Sequence, residues 1–260
     1  MAAAAAVLTA VLAACGGSAQ QHSAASRPHP PAALGGVVMS DPVPASIARL
    51  PLTTAAGKST TLAAYRGKIV MIADFLTLCQ DMCPMISANT AAMARQVQAA
   101  GLAGKVALLE ITVDPQRDTP ARLAAYQKMF GGPRPDWTLA TATTEAGTAA
   151  LWKFFHVYYH RQPEDDPPGT DWLTGKKLTY DVEHSNTLIF LSPDGKQRYV
   201  ASAAADTRGT LPPPALVRFM DPQGRDNLHH PDPGDSWTVP QALQVLSWLA
   251  GRVIPAVASS

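Results

Sequence analysis

One stretch constrains this chain more than any other. Ile69-Val70-Met71-Ile72-Ala73-Asp74-Phe75-Leu76 is followed at once by Cys79 and Cys83, and then by a helical pattern. A mostly apolar run of strand length suits a strand buried on both faces, inside a sheet that helices cover. From Met85 to Ala100, Ile86, Met93 and Val97 recur at helical spacing, and Gly101 follows as a stop. The thiols therefore stand beyond the carboxyl end of a central strand, where a helix begins. Sites in open α/β sheets form at that position. Free N–H groups and the positive end of the helix dipole also lower a thiol's pKa there.

The rest of the chain extends this plan. Val37-Val38-Met39 and Leu50-Pro51-Leu52 read as short strands around a proline-rich turn. Lys105 to Val113 is a second buried strand. The turn Asp114-Pro115-Gln116-Arg117-Asp118 leads to a helix capped by Thr119 or Asp118, with Pro120 first and Leu123, Tyr126 and Phe130 facing inward. Trp137 to Ala140 is a short strand, Glu145 to Tyr158 an amphipathic helix, and residues 160–180 a polar loop. Thr187 to Leu191, the turn Ser192-Pro193-Asp194-Gly195 and Gln197 to Val200 form a hairpin. Residues 203–237 read as an irregular, proline-rich insertion, and Val239 to Val253 as a closing helix. The order predicts an α/β sheet of thioredoxin-like plan, with an N-terminal β-hairpin extension and a C-terminal insertion plus helix.

Composition sets limits on function. Of 260 residues, 47% are apolar and 16% charged, a globular balance. Lysine plus arginine is 21 and aspartate plus glutamate 20, which gives no electrostatic reason to expect nucleic acid. Ala2 to Ala14 is apolar, and Leu12-Ala13-Ala14-Cys15 matches the lipobox of bacterial lipoprotein signals. The alternative is an ordinary secretory signal with an incidental cysteine. No Lys or Arg precedes the stretch, a departure from the signal pattern that a start further upstream would explain. The expected organisation is a signal over 1–14, a flexible linker over 15–35 and a domain over 36–255. Cys15 would carry a lipid that tethers the protein to the outer face of a bacterial cell membrane.

The thiols are separated by three residues, Gln80-Asp81-Met82. On a helix, residues four apart share a face, so both sulfurs can reach one soft ion such as Cu(I), or each other as a disulfide. A permanent disulfide in an exported protein is the plain alternative. His184, before the strand that starts at Thr187, is the candidate third ligand, with Glu183 or Asp181 to orient it. A non-ligand His184 is equally compatible with its position. His22 and His29 read as solvated linker residues. His156 and His160 read as helix-end residues, and His229-His230 as a loop pair.

Four stretches together resemble the SCO/SenC family of copper-binding proteins. They are Thr77-Leu78-Cys79-Gln80-Asp81-Met82-Cys83-Pro84, Thr112 to Pro120, Val157-Tyr158-Tyr159, and Val182-Glu183-His184-Ser185 leading to Pro193-Asp194-Gly195. The resemblance runs from about Pro51 to Val200. It implies a thioredoxin-like fold, copper held by Cys79, Cys83 and His184, and a role in building the dinuclear copper centre of cytochrome c oxidase. The partner would be the oxidase subunit that carries that centre, with another copper chaperone as a further candidate. Family members donate copper, reduce the recipient's cysteines through a redox Cys79–Cys83 pair, or do both. Leu78, Gln80 and Glu183 depart from the residues usual in the family. The reading is thus a copper metallochaperone, with a thiol–disulfide oxidoreductase as the alternative. A peroxide-reducing enzyme ranks third, because neither cysteine stands out as a lone peroxidatic residue.

Overall fold

The computed structural model describes residue 1 and residues 34–256, apart from 209, 233 and 235. All but the first residue of the expected signal, Cys15, His22, His29 and nearly all of the expected linker lie outside the described residues.

In chain order the elements begin with β1 (Val37–Pro42), α1 (Ala45–Ala48), β2 (Leu52–Thr54), β3 (Ser59–Thr60), β4 (Ile69–Phe75) and α2 (Cys83–Ala99). Next come β5 (Val106–Thr112), α3 (Pro120–Met129), β6 (Trp137–Ala142), α4 (Glu145–Phe154), β7 (Tyr159–Gln162), β8 (Asp181–His184), β9 (Thr187–Leu191) and β10 (Lys196–Ser202). The chain closes with β11 (Ala204–Ala205), α5 (Pro214–Phe219), α6 (Pro222–His229), β12 (Ser236–Trp237) and α7 (Val239–Ala250).

The main sheet has the order β1-β10-β9-β4-β5-β6-β2-β3. Strand β4 lies inside it, parallel to β5 in unbroken register from Ile69↔Val106 to Phe75↔Thr112, and antiparallel to β9. Strand β6 runs parallel to β5, and β10 antiparallel to β9. Three parallel strands continued by an antiparallel hairpin, with the thiol helix after the central strand, make the fold thioredoxin-like. Every residue of β4, β5 and β9 is buried, as their apolar runs require. Each fully buried Leu, Ile, Val or Phe there contributes roughly 1.5–3 kcal/mol. Helices α2 and α7 pack on each other and on β4, while α3 and α4 pack on β6.

Five expectations need correction. Val37–Met39 and Leu52 do not form a hairpin with each other: β1 pairs with β10 at one edge of the sheet, whereas β2 pairs with β6 at the other. The N-terminal hairpin is β2 with β3, Leu52 opposite Thr60. Covering both edges is what these short strands achieve. Helix α4 stops at Phe154, because His156 turns the chain with φ +57°. The supposed loop from 160 opens with β7, which pairs with β8 through His160↔Glu183. Its residues, Tyr159-His160-Arg161-Gln162, carry no apolar alternation, so only its distant partner reveals it.

The insertion is also structured. Strands β11 and β12 pair in parallel, and α5 and α6 begin with Pro214 and Pro222 at their first turns. Proline is pre-organised for that position, so residues that read as loop signals instead start helices. Leu216, Met220 and Trp237 are almost wholly buried. Helix α7 ends at Ala250 rather than Val253, because Gly251 takes the left-handed conformation that closes a helix.

Candidate metal centre

Strand β4 delivers the chain to a tight loop over 76–82, and α2 starts at Cys83. Only Cys83 is helical. Cys79 stands in the loop, so helical spacing is not what joins the sulfurs. The loop folds back instead: Cys83 N donates to Cys79 Sγ at 3.4 Å, and Leu76 N donates to Cys83 Sγ at 3.4 Å. Met82, which precedes the helix, offers no side-chain cap. Cys79 Sγ thus takes up one of the helix's free N–H groups. Both cysteines are free thiols, Cys79 at 9% exposure and Cys83 at none.

His184 arrives from the end of β8. Its Nε2 lies 3.2 Å from Cys83 Sγ. Its Nδ1 lies 2.7 Å from Asp74 Oδ2 and 2.6 Å from the Ser185 carbonyl oxygen. Two acceptors at Nδ1 hold a proton there and aim Nε2 at the sulfurs, so that its lone pair faces them once the ring is neutral. The donor atoms of Cys79, Cys83 and His184 all lie within 4.8 Å of one another. Among the described residues this is the one Cys/His/carboxylate group close enough to share a metal ion.

The residue that orients His184 is Asp74, not Asp181 or Glu183. Side chains alternate along a strand. Glu183 is therefore directed to the face opposite His184, and it is exposed. Asp181 shares that face and accepts from Gln162 Nε2 at 3.3 Å instead. Asp74 sits fully buried on β4, and its second oxygen accepts from Thr187 N at 2.7 Å. It ties β4, β9 and the imidazole together. One clue lay in the sequence: Asp74 is the only charge in an otherwise apolar run, and a buried charge needs a partner. Asp118 is a second omission. It accepts from Thr77 N at 3.0 Å, from the Thr77 hydroxyl and from the Thr112 hydroxyl at 2.5 Å. Those bonds pin the loop's base to α3's start. Trp172 Nε1 donates to Thr77 O at 2.7 Å and holds the same point from the long loop.

The electrostatics separate the two thiols. A hydrogen bond from the Cys83 side chain, aided by His184, takes Cys79 well below the ordinary thiol range against burial. Burial, and then the Cys79 charge beside it, pushes Cys83 well above that range. Burial works to lower His184, yet its bonds to Asp74 and Cys79 carry it well above the usual imidazole value. Cys79 is thus the more acidic thiol of the pair, and Cys83 the one that keeps its proton longer. Two sulfurs and one imidazole form a soft donor set, suited to Cu(I) and unsuited to Mg²⁺ or Ca²⁺.

A cavity of about 200 Å³ opens onto Cys79 and His184, with Asp81, Glu164, Asp181 and Glu183 around its mouth. Among the described residues, no other histidine lines it. His156 and His160 are exposed, and exposed His230 pairs with Asp226 at 2.9 Å. No helix among the described residues is long and apolar enough to cross a membrane.

The SCO1/SenC family model matches residues 43–210. The mitochondrial SCO2 homolog of Bos taurus is 32% identical over 139 residues, covering 54% of this chain and 47% of that protein. The SCO1 homolog of Bacillus subtilis is 24% identical over 167 residues, covering 63% of this chain and 77% of that protein. The chain thus spans about half the length of the mammalian relatives it matches. Among solved structures, the copper-bound ScoI of Bradyrhizobium japonicum is 25% identical, with a TM-score of 0.49 over 66% of this chain and 97% of that one.

Proposed function

The chain belongs to the SCO1/SenC family, and from that premise we propose that it is a copper metallochaperone whose cargo ion is held by Cys79, Cys83 and His184. The observation that carries the reading is the convergence of two sulfurs and one imidazole nitrogen within 4.8 Å. The imidazole comes from 101 residues beyond Cys83 in the chain. Loading displaces the protons held on Cys83 and His184. Delivery proceeds by ligand exchange, as the recipient's thiolates replace Cys79, Cys83 and His184 one at a time. The recipient is the dinuclear copper site of cytochrome c oxidase. The chain works outside the cytoplasm, tethered through a lipid on Cys15. Residues 1–14 act as its signal, residues 15–35 as a spacer and residues 36–255 as the copper-binding domain.

The test is copper stoichiometry and spectroscopy on the reduced protein, beside Cys79→Ala, Cys83→Ala and His184→Ala. The expected result is about one copper per chain, with weaker binding in every variant. Wild-type affinity in His184→Ala would remove the imidazole from the site.

The separation of the two thiols favours a second activity at the same pair, reduction of the recipient's disulfide. The Cys79 thiolate attacks one sulfur of that disulfide, and a mixed disulfide forms as the other recipient sulfur leaves as thiolate. Cys83, losing its proton, then attacks Cys79 Sγ. This releases the recipient's second thiolate and leaves a Cys79–Cys83 disulfide, so two electrons pass to the recipient. This activity spares His184 as a ligand. Reduction of a recipient disulfide by metal-free His184→Ala protein would establish it.

A further inference from the structure

The segment beyond residue 210 lies outside the family match, yet it touches the thiol loop at three points. Asp221 N donates to Gln80 O at 2.9 Å. Asn227 Nδ2 donates to Asp81 Oδ1 at 2.8 Å. Between them, Gly224 packs directly on the loop: a Cβ there would stand 2.4 Å from Gln80 O and 2.8 Å from Asp81 Cα. Both of those atoms are backbone, so no side-chain rotation would relieve the clash. Gln80 and Asp81 are two of the three residues between the cysteines. Helix α6 is itself anchored. The Asp221 carboxylate caps it by accepting from Gly224 N at 2.6 Å, and the buried Leu216 and Met220 hold the segment before it.

A short loop between two thiols is free to place its sulfurs in many ways. Fixing its backbone costs about 1–2 kcal/mol per residue in conformational entropy. If the loop is already fixed in the folded state, that cost does not recur when a ligand arrives. We infer that α6 is a positioning element for the thiol pair: Asp221, Gly224 and Asn227 hold Gln80–Met82 in one conformation and present Cys79 to Cys83 and His184 before any ion binds. Gly224 permits the close approach, Asp221 fixes the peptide between Gln80 and Asp81, and Asn227 fixes the Asp81 side chain. The inference rests on the copper-carrier reading only for its effect on affinity.

The test uses the full chain with Gly224→Ala, Asn227→Ala and, as a control in the same insertion, Leu211→Ala, whose side chain is largely exposed. Hydrogen exchange over residues 76–83 is measured on metal-free reduced protein. Cu(I) affinity is measured by competition with a chromogenic chelator. In Gly224→Ala and Asn227→Ala we expect exchange in that segment to quicken and Cu(I) to bind about tenfold more weakly, with Leu211→Ala unchanged. Unchanged exchange in both folded variants overturns the inference. So does faster exchange with wild-type copper affinity, or an equal effect in Leu211→Ala. If Gly224→Ala does not fold, Asn227→Ala decides alone. If the wild-type protein binds no Cu(I), the copper reading fails and exchange by itself judges the role of α6.

Discussion

Replacing Asp74 by Asn removes one acceptor from the centre of the site and almost nothing else. Asp74 Oδ1 receives Thr187 N–H at 2.7 Å, and Oδ2 receives His184 Nδ1–H at 2.7 Å. A carboxylate accepts at both oxygens, whereas an amide has one accepting oxygen and a donating NH₂. Whichever way the amide faces, its NH₂ meets a donor, either the Thr187 N–H or the imidazole. The ring cannot escape by moving its proton to Nε2. The Ser185 carbonyl, 2.6 Å from Nδ1, would lose its donor, and Nε2, which faces Cys83, would keep a proton that bars it from a metal ion. One fully buried donor is left unpaired, at about 1–3 kcal/mol. The imidazole also loses the partner that aims it, which typically costs a metal site about 10–100-fold in affinity, or about 1.4–2.7 kcal/mol. The assay is urea unfolding of the metal-free protein together with Cu(I) competition on the loaded form. Lower stability and weaker Cu(I) binding are expected together. Wild-type stability with wild-type affinity in Asp74→Asn would refute the reasoning, since it would mean that the second acceptor is not needed.

Other outcomes follow from the same structure. Copper affinity should rise with pH, because Cys83 and His184 hold protons above their ordinary values and must release them to ligate; a flat affinity profile across neutral pH would contradict this. Glu110, fully buried beneath Ser87 and Trp137, is pushed by burial from 4.5 up to about 7. Across that window the native state holds the extra proton, so stability should fall as pH rises, by about 3 kcal/mol in all. Glu110→Gln should flatten that slope in denaturant titrations, and an unchanged slope would show that another group causes it. Asp118→Ala strips the acceptor from Thr77 N, Thr77 Oγ1 and Thr112 Oγ1. A loss of about 3 kcal/mol is expected on thermal or urea unfolding, and a loss under 1 kcal/mol would mean that water replaces the carboxylate.

The sequence alone determined the sheet's interior and the chemistry available at its end. β4, β5 and β9 were legible because strands buried on both faces read as nearly continuous apolar runs. The starts of α3 and the hairpin turn were legible because Thr119-Pro120 and Pro193-Asp194-Gly195 act locally. Cys79, Cys83 and His184 could be nominated because two thiols at a strand end restrict what the site can hold. Tertiary structure alone decided what no local pattern encodes. It put Asp74, rather than Glu183, behind the imidazole, since strand alternation sends neighbours to opposite faces and hands the role to the adjacent strand. It also paired β7 with β8 and set α6 against Gln80 and Asp81, more than 130 residues away in sequence. Periodicity reports which face of an element is buried. It does not report which distant element covers that face, because that choice is made when all the surfaces pack at once.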